Sequence, residues 1–208
     1  MAPIIGVFIA YLAGSIPSAY IAGRARGVDL RQHGSGNLGA TNVVRVLGPK
    51  IGAAVFLADF FKGFLPVYYL PIVADTLQPE VWALIYGAAA ILGHVKPIFL
   101  LGRGGGKGVA TASGVFTALA PIPMLISMAT WIVAFSISRY VSLASLFGAA
   151  VLPIAIYAFH RDAHSPVFIA SVIIAAFVFW THRANIGRLR RGEEHRFVKK
   201  ESATETAS

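Results

Sequence analysis

The sequence predicts an all-α integral membrane protein, and its composition and long apolar runs are the observations that predict it. Of the 208 residues, 56% are hydrophobic and only 13% are charged, whereas about a quarter of the residues in a soluble domain are charged. Several apolar runs are long enough for a helix that crosses a bilayer, which needs about 20 residues. The chain has no cysteine, which excludes disulfides and thiolate chemistry.

The apolar runs predict seven transmembrane helices. A stretch at 108–138 is too long for one crossing, and the two prolines in ALAPIPML predict a tight turn that divides it. Five or six spans remain alternatives if this stretch is one tilted or re-entrant helix. We expect residues 1–198 to form a single transmembrane domain and residues 199–208 a polar, disordered tail. The predicted spans are 3–23, 51–72, 81–101, 106–120, 122–138, 141–159 and 165–181.

The distribution of basic residues predicts an N-terminus outside the cell and a cytoplasmic C-terminus. Residues 24–50, 96–107 and 182–200, together with Arg139, hold sixteen of the eighteen Lys and Arg residues. Short loops rich in Lys and Arg stay in the cytoplasm. The formal charge of +9 is therefore explained by orientation and by contact with anionic lipid. We expect membrane lipid, and no nucleic acid, as a partner.

A polar, glycine-rich loop follows the first span, with the sequence SGNLGATNVVR at residues 35–45. Its glycines allow tight turns, so that successive amide N–H groups can form a concave anion site. The guanidinium of Arg45 suits a phosphate group. Residues 40–42 begin a predicted helix, whose dipole also favours an anion there. The alternative is a flexible interfacial loop with helix-capping residues. The neutral donors of the loop are Ser35, Asn37, Thr41 and Asn42.

A second glycine-rich loop, GRGGGKGVAT at residues 102–111, resembles half of a nucleotide-binding P-loop. The full motif fails because Gly108 follows Lys107, where a metal-binding hydroxyl is required. The loop therefore predicts either a second anion site, built from Gly105, Gly106 and Lys107, or a tight turn with one lysine. No acidic residue lies near either loop in the sequence, and we predict no metal.

A third polar segment, WTHRANIGRLRRGEEHR at residues 180–196, begins where the last span ends. Its arginines are typical of a juxtamembrane patch that contacts anionic lipid. His182 in this position suits a general base or a hydrogen-bond donor to a phosphate group. Within the second span, Asp59 and Lys62 share one helix face, and we interpret them first as structural support and second as a substrate contact. His94 is interpreted as a packed residue.

Together the three motifs resemble those of the bacterial acyl-phosphate:glycerol-3-phosphate acyltransferases. The first motif is SGNLGATNVVR, the second GGKGVAT and the third HRANIGRLRRGEE, and the segments ADFFKG and GHVKPIF agree as well. The resemblance covers nearly the whole chain. It implies a seven-span inner-membrane enzyme whose active site faces the cytoplasm. Such an enzyme transfers a fatty acyl group from acyl phosphate to the sn-1 hydroxyl of glycerol-3-phosphate, without a cofactor, and releases lysophosphatidic acid and phosphate.

The resemblance also implies roles for individual residues. Residues 35–41 would bind acyl phosphate, and Glu193 matches an acid of the third motif with a structural role. Leu38 stands where proline is common in the family, which adds an N–H group and makes the loop less rigid. The implied catalytic residues are Ser35, Arg45, Lys107, His182 and Asn185. The implied substrate-binding residues are Gly36, Asn37, Leu38, Gly39, Ala40, Thr41, Asn42, Gly105, Gly106 and Ser142.

Acyl phosphate is a mixed anhydride with a good leaving group, so we predict direct attack by the glycerol hydroxyl without an acyl-enzyme. A phosphate oxygen of the donor would take the proton. None of the six histidines has an aspartate five residues later, which weighs against the H-x-x-x-x-D acyltransferases. The rival interpretation is a transporter or channel for a small phosphorylated anion, but its polar residues would lie near the midplane. No obligate protein partner is expected.

Overall fold

The computed structural model describes residues 1–197, which fold into ten α-helices and one short 3₁₀ turn, with no strand in this part of the chain. The predicted tail at 199–208 lies outside the described residues. The helices are α1 (Pro3–Ser15), α2 (Ser18–Arg24), α3 (Ala40–Leu47), α4 (Pro49–Val73), α5 (Pro79–Val95), α6 (Val109–Leu119), α7 (Pro121–Ser138), α8 (Val141–His160), α9 (Pro166–Thr181) and α10 (Arg183–Arg190), and the 3₁₀ turn is Ile98–Leu100.

Proline sets the start of several helices. The first position of a helix has no intrahelical acceptor for its N–H group, so proline is tolerated there and its φ angle already suits the helix. Ala120 ends α6 and also precedes α7, which starts at Pro121. The division of the stretch 108–138 at this proline pair is thus confirmed. The prolines at helix starts are Pro3, Pro49, Pro79, Pro121 and Pro166.

Five stretches of the described chain are long and apolar enough to cross a membrane, or six if the bent pair α9 and α10 is one span. The first of them is broken between α1 and α2 at Pro17. Helix α6 has only 11 residues and is roughly 16 Å long, about half of a hydrocarbon core of about 30 Å. The full crossing predicted at 106–120 is therefore not confirmed.

The helices pack closely through glycine and expose large apolar side chains. A methyl group at Gly63 in α4 would lie 2.2 Å from the carbonyl oxygen of Thr111, and one at Gly114 in α6 would lie 2.0 Å from that of Phe60. Small residues bring helix backbones together in this way in membranes. On the outer surface, side chains such as Ile137 are 77% exposed. This combination is typical of a helix bundle whose outer surface contacts lipid.

Candidate active site

The first glycine-rich loop is closed by the amide group of Asn42, at the start of α3. The backbone N–H of Ser35 donates to Asn42 Oδ1 at 2.8 Å, and Asn42 Nδ2 donates to the carbonyl oxygens of Leu30 and His33 at 3.1 and 3.0 Å. Asn42 is only 1% exposed. Its side chain is thus committed to the shape of the loop, and a contact between Asn42 and substrate stays a prediction.

Leu38 also fastens this loop to the helices. Its side chain is 4% exposed and packs in an apolar cluster with Leu30 and Val43. The side chain therefore faces away from solvent, and only the backbone of Leu38 is left to contact a substrate. Helix α3 begins at Ala40, as the motif predicts, after an extended Gly39.

The second loop comes close to the first because Gly105 and Gly106 lack side chains. A methyl group at Gly105 would lie 2.0 Å from the carbonyl oxygen of Val95, and one at Gly106 would lie 2.2 Å from His94 Nε2. The position of that second methyl group is also 3.2 Å from the carbonyl oxygen of Leu38. The two loops therefore contact each other, although Leu38 and Gly106 are 68 residues apart in the sequence.

A hydrogen-bonded chain links the second loop to the third motif and to α8. Lys107 Nζ donates a short hydrogen bond to Asn185 Oδ1. Asn185 Nδ2 donates to Glu194 Oε1 at 2.7 Å, and the hydroxyl of Ser142 donates to the same oxygen at 2.9 Å. Arg188 Nε donates to the second oxygen, Oε2, at 2.7 Å. Two of the predicted site residues, Asn185 and Ser142, thus donate to one carboxylate, and a third, Lys107, is linked to it through Asn185.

The carboxylate at the centre of this chain belongs to Glu194, whereas the motif comparison assigned the structural acid to Glu193. Glu194 is 8% exposed. Glu193 instead pairs with Arg191 at the surface. The cause is Gly192, whose φ of +71° ends α10 in a Schellman turn: its N–H and that of Glu193 donate to the carbonyls of Leu189 and Arg188.

Residues 193–197, which we call the strap, return from α10 across the site. The backbone N–H of Phe197 donates to the carbonyl of Arg139 at 3.0 Å. The guanidinium of Arg45 lies 5.2 Å from the centre of the Phe197 ring and donates to the carbonyl of His195 at 3.4 Å. The sequence does not predict the strap, although Gly192, a residue type that often ends a helix, indicates a turn before it.

The site contains more positively charged side chains than negatively charged ones. Burial lowers the pKa of Lys107 to about 8; the charge of Glu194 raises it, and those of Arg188 and Arg45 lower it further. Burial also lowers the pKa of Arg45. Burial raises the pKa of Glu194, but hydrogen bonds from Asn185, Arg188 and Ser142 outweigh this and hold it below its usual value. Three cationic side chains, those of Lys107, Arg188 and Arg45, therefore surround one carboxylate. The positive charge that this carboxylate does not balance favours binding of an anion.

The remaining predicted catalytic residues occupy two different environments. His182, directly after α9, is 3% exposed, and its Nδ1 lies 2.8 Å from the carbonyl oxygen of Val178. Since a carbonyl only accepts, Nδ1 carries the proton, and in a neutral ring Nε2 is an acceptor. Ser35 is exposed on the first loop.

Thr181 links α9 to the second loop, because its hydroxyl is 3.5 Å from the carbonyl oxygen of Lys107.

Comparison with known proteins accounts for these motifs. The family model described as glycerol-3-phosphate acyltransferase matches residues 4–192. The chain belongs to the glycerol-3-phosphate acyltransferase family. A glycerol-3-phosphate acyltransferase of Geotalea daltonii is 45% identical over 191 residues, covering 91% of this chain and 95% of that protein. The one from Aquifex aeolicus is 44% identical over 192 residues, covering 92% and 97%.

Two crystal structures of an integral membrane glycerol 3-phosphate acyltransferase, PlsY (YgiH), share the fold. Its glycerol 3-phosphate form has a TM-score of 0.86 at 40% identity, covering 94% of this chain and 96% of that one. The lysophosphatidic acid form has a TM-score of 0.83 at 39% identity, covering 94% and 95%. This member of the glycerol-3-phosphate acyltransferase family is thus an integral membrane acyltransferase of phospholipid synthesis, as the motifs predict.

Proposed function

We propose that this protein transfers a fatty acyl group from acyl phosphate to the sn-1 hydroxyl of glycerol-3-phosphate, forming lysophosphatidic acid and inorganic phosphate. The observation that carries the proposal is the positive cluster of Lys107, Arg45 and Arg188 around Glu194, beside two glycine loops that contact each other. Each substrate has a phosphate with a charge of about −1.5 to −2. The glycerol 3-phosphate and lysophosphatidic acid forms of the similar PlsY supply the acceptor and the product of such a transfer.

The two substrates divide the site between them. Acyl phosphate binds to the loop of residues 35–41 through the backbone amides of residues 37–41 and the Ser35 hydroxyl, because the N–H groups of Ser35 and Gly36 already donate to Asn42 and His33. Its acyl chain remains among the membrane helices. Gly105 supplies a further amide, whereas the N–H of Gly106 already donates to the carbonyl of His94. Glycerol-3-phosphate binds to Arg45, whose planar guanidinium suits two phosphate oxygens. Ser142, His182 and Asn185 surround the glycerol-3-phosphate.

The reaction is a direct acyl transfer without a covalent enzyme intermediate. The sn-1 oxygen forms an ester bond to the acyl carbon, the bond between that carbon and the phosphate oxygen breaks, and the hydroxyl proton passes to the departing phosphate. Lys107 and the loop amides stabilise the negative charge that develops. His182 orients the glycerol-3-phosphate through Nε2. If His182→Ala binds both substrates but has no turnover, a histidine base replaces the proton transfer proposed here.

The proposal extends to the arrangement in the membrane. Residues 1–198 form one transmembrane domain of the inner membrane with seven crossings, an outer N-terminus and a cytoplasmic C-terminus and active site. Because the chain has no cysteine, single cysteines at two exposed positions, Arg26 and Ala163, report their sides to an impermeant thiol reagent. We expect Ala163→Cys to react from outside intact cells and Arg26→Cys only after lysis. The reverse result would overturn the orientation.

The donor is tested by an assay of the purified protein in lipid, with glycerol-3-phosphate and acyl phosphate, acyl-CoA or acyl carrier protein thioester. We expect turnover with acyl phosphate alone, without any added protein. Folded protein that uses a thioester instead would overturn the proposed donor.

Lys107→Ala should abolish turnover, while Lys50→Ala, which changes an exposed lysine, should keep it. Wild-type turnover by Lys107→Ala would remove Lys107 from the site.

A further inference from the structure

A buried charged cluster lies among the helices beneath the second glycine loop, outside the groups that react. Lys62 Nζ is 2.7 Å from Asp59 Oδ1, and His94 Nδ1 is 3.7 Å from the same oxygen. The three residues are 8%, 2% and 6% exposed, respectively. Burying ionisable groups is costly unless they are paired, and a pair is often no more stabilising than apolar residues of the same size. The cluster therefore calls for an explanation other than overall stability.

The cluster contacts the irregular backbone on two sides. Lys62 Nζ donates to the carbonyl oxygen of Ile16 at 2.9 Å, at the break between α1 and α2. His94 contacts the second loop, because a methyl group at Gly106 would lie 2.2 Å from His94 Nε2 and 2.6 Å from Cε1. The backbone N–H of Gly106 also donates to the carbonyl of His94 at 3.3 Å. The imidazole ring thus lies directly against the backbone of Gly106.

We propose that His94, which lies beside the buried pair of Asp59 and Lys62, is a positioning residue for the second glycine loop. Its ring sets how far the loop descends between the helices, and with it the alignment of Lys107 and of the loop amides against the first loop. The catalytic part of this inference rests on the proposed function, in which these groups bind substrate phosphate. The steric part rests only on the contact between His94 and Gly106.

The first test is steric compensation between two substitutions. Neither Gly105 nor Gly106 has a positive φ angle, so alanine is acceptable to the backbone at both positions and only the neighbouring atoms oppose it. Gly106→Ala displaces the loop from the His94 ring. In Gly106→Ala with His94→Ala that ring is gone, and the nearest remaining neighbour is the carbonyl oxygen of Leu38 at 3.2 Å.

Gly105→Ala is the matched control, since its methyl group would meet the backbone oxygen of Val95 at 2.0 Å, which His94→Ala leaves in place. We expect Gly106→Ala to lower kcat/KM for acyl phosphate at least tenfold and the double variant to recover most of that loss relative to His94→Ala. Gly105→Ala should gain nothing from His94→Ala. The inference is overturned if the Gly106 pair shows no recovery or if both pairs recover equally.

The second test needs neither substrate nor turnover, and so separates this inference from the proposed function. Amide hydrogen exchange at residues 102–108 is measured by mass spectrometry on purified protein in lipid. We expect His94→Ala to exchange faster there than the wild type, and His94→Gln, which fills part of the same space, to lie between them. Unchanged exchange in folded His94→Ala would overturn the inference. Failure of the wild type to use acyl phosphate would overturn only the proposed donor.

Discussion

Replacing Glu194 by glutamine removes one negative charge from the centre of the site and keeps the shape of the side chain. The amide of Asn185 lies between this carboxylate and the Lys107 ammonium, so the two charges are about 6 to 7 Å apart. With an effective dielectric constant of about 20 to 40, their attraction is about 1.3 to 2.5 kcal/mol. This energy corresponds to about one to two units of pKa.

The direction of the effect follows from the sign of the removed charge. Burial lowers the pKa of Lys107 to about 8, and Glu194 opposes that shift by stabilising the ammonium. In Glu194→Gln this support is lost, so the pKa of Lys107 falls further, by about one to two units. Because the proposed reaction needs the charged ammonium, its rate falls as the pH rises through that pKa. The alkaline limb of the activity profile should therefore move to lower pH.

The assay is the pH dependence of kcat/KM for glycerol-3-phosphate, which reports the groups of the free enzyme and free substrate. The second ionisation of the substrate phosphate, near pH 6, gives an acid limb that all variants share. Glu193→Gln is the matched control, because Glu193 pairs with Arg191 at the surface, and it should keep the wild-type profile. An alkaline limb that stays in the wild-type position in folded Glu194→Gln would refute the reasoning, as would an equal shift in Glu193→Gln.

Three further substitutions test separate parts of the structure. Asp59→Asn leaves Lys62 buried without its carboxylate and should lower the free energy of unfolding by about 3 kcal/mol; Asp59→Leu with Lys62→Met should lose less in the same denaturation assay, and an equal loss would contradict this. Phe197→Ala removes the ring beside Arg45, worth about 0.5 to 1 kcal/mol, and should raise the KM for glycerol-3-phosphate about two- to fivefold; an unchanged KM would exclude this role. Asn42→Ala deletes the contacts that close the first loop and should destabilise the protein by about 2 kcal/mol, with faster amide exchange at residues 33–36; unchanged exchange there would show that the loop closes without it.

Much of the helix arrangement and the location of the polar loops could be predicted from the sequence. Lipid leaves the backbone of a spanning segment few alternatives to the helix, so long apolar runs already indicate where helices lie. Proline acts locally, and therefore Pro121 predicts the division between α6 and α7. The crossing at 106–120 is not confirmed, because hydropathy does not show that residues 101–108 form a loop, which leaves too few residues for a full span.

The sequence by itself determined that this is a helical membrane protein of an acyltransferase family, with three polar motifs that contain the candidate site residues. Only the tertiary structure decided which side chains within those motifs meet. Arg45 and His195 lie 150 residues apart, and Lys107 and Asn185 lie 78 apart. The choice between Glu193 and Glu194 depends on the turn at Gly192 and on what packs against it. Such contacts depend on how separate helices pack, a property that local sequence patterns do not encode.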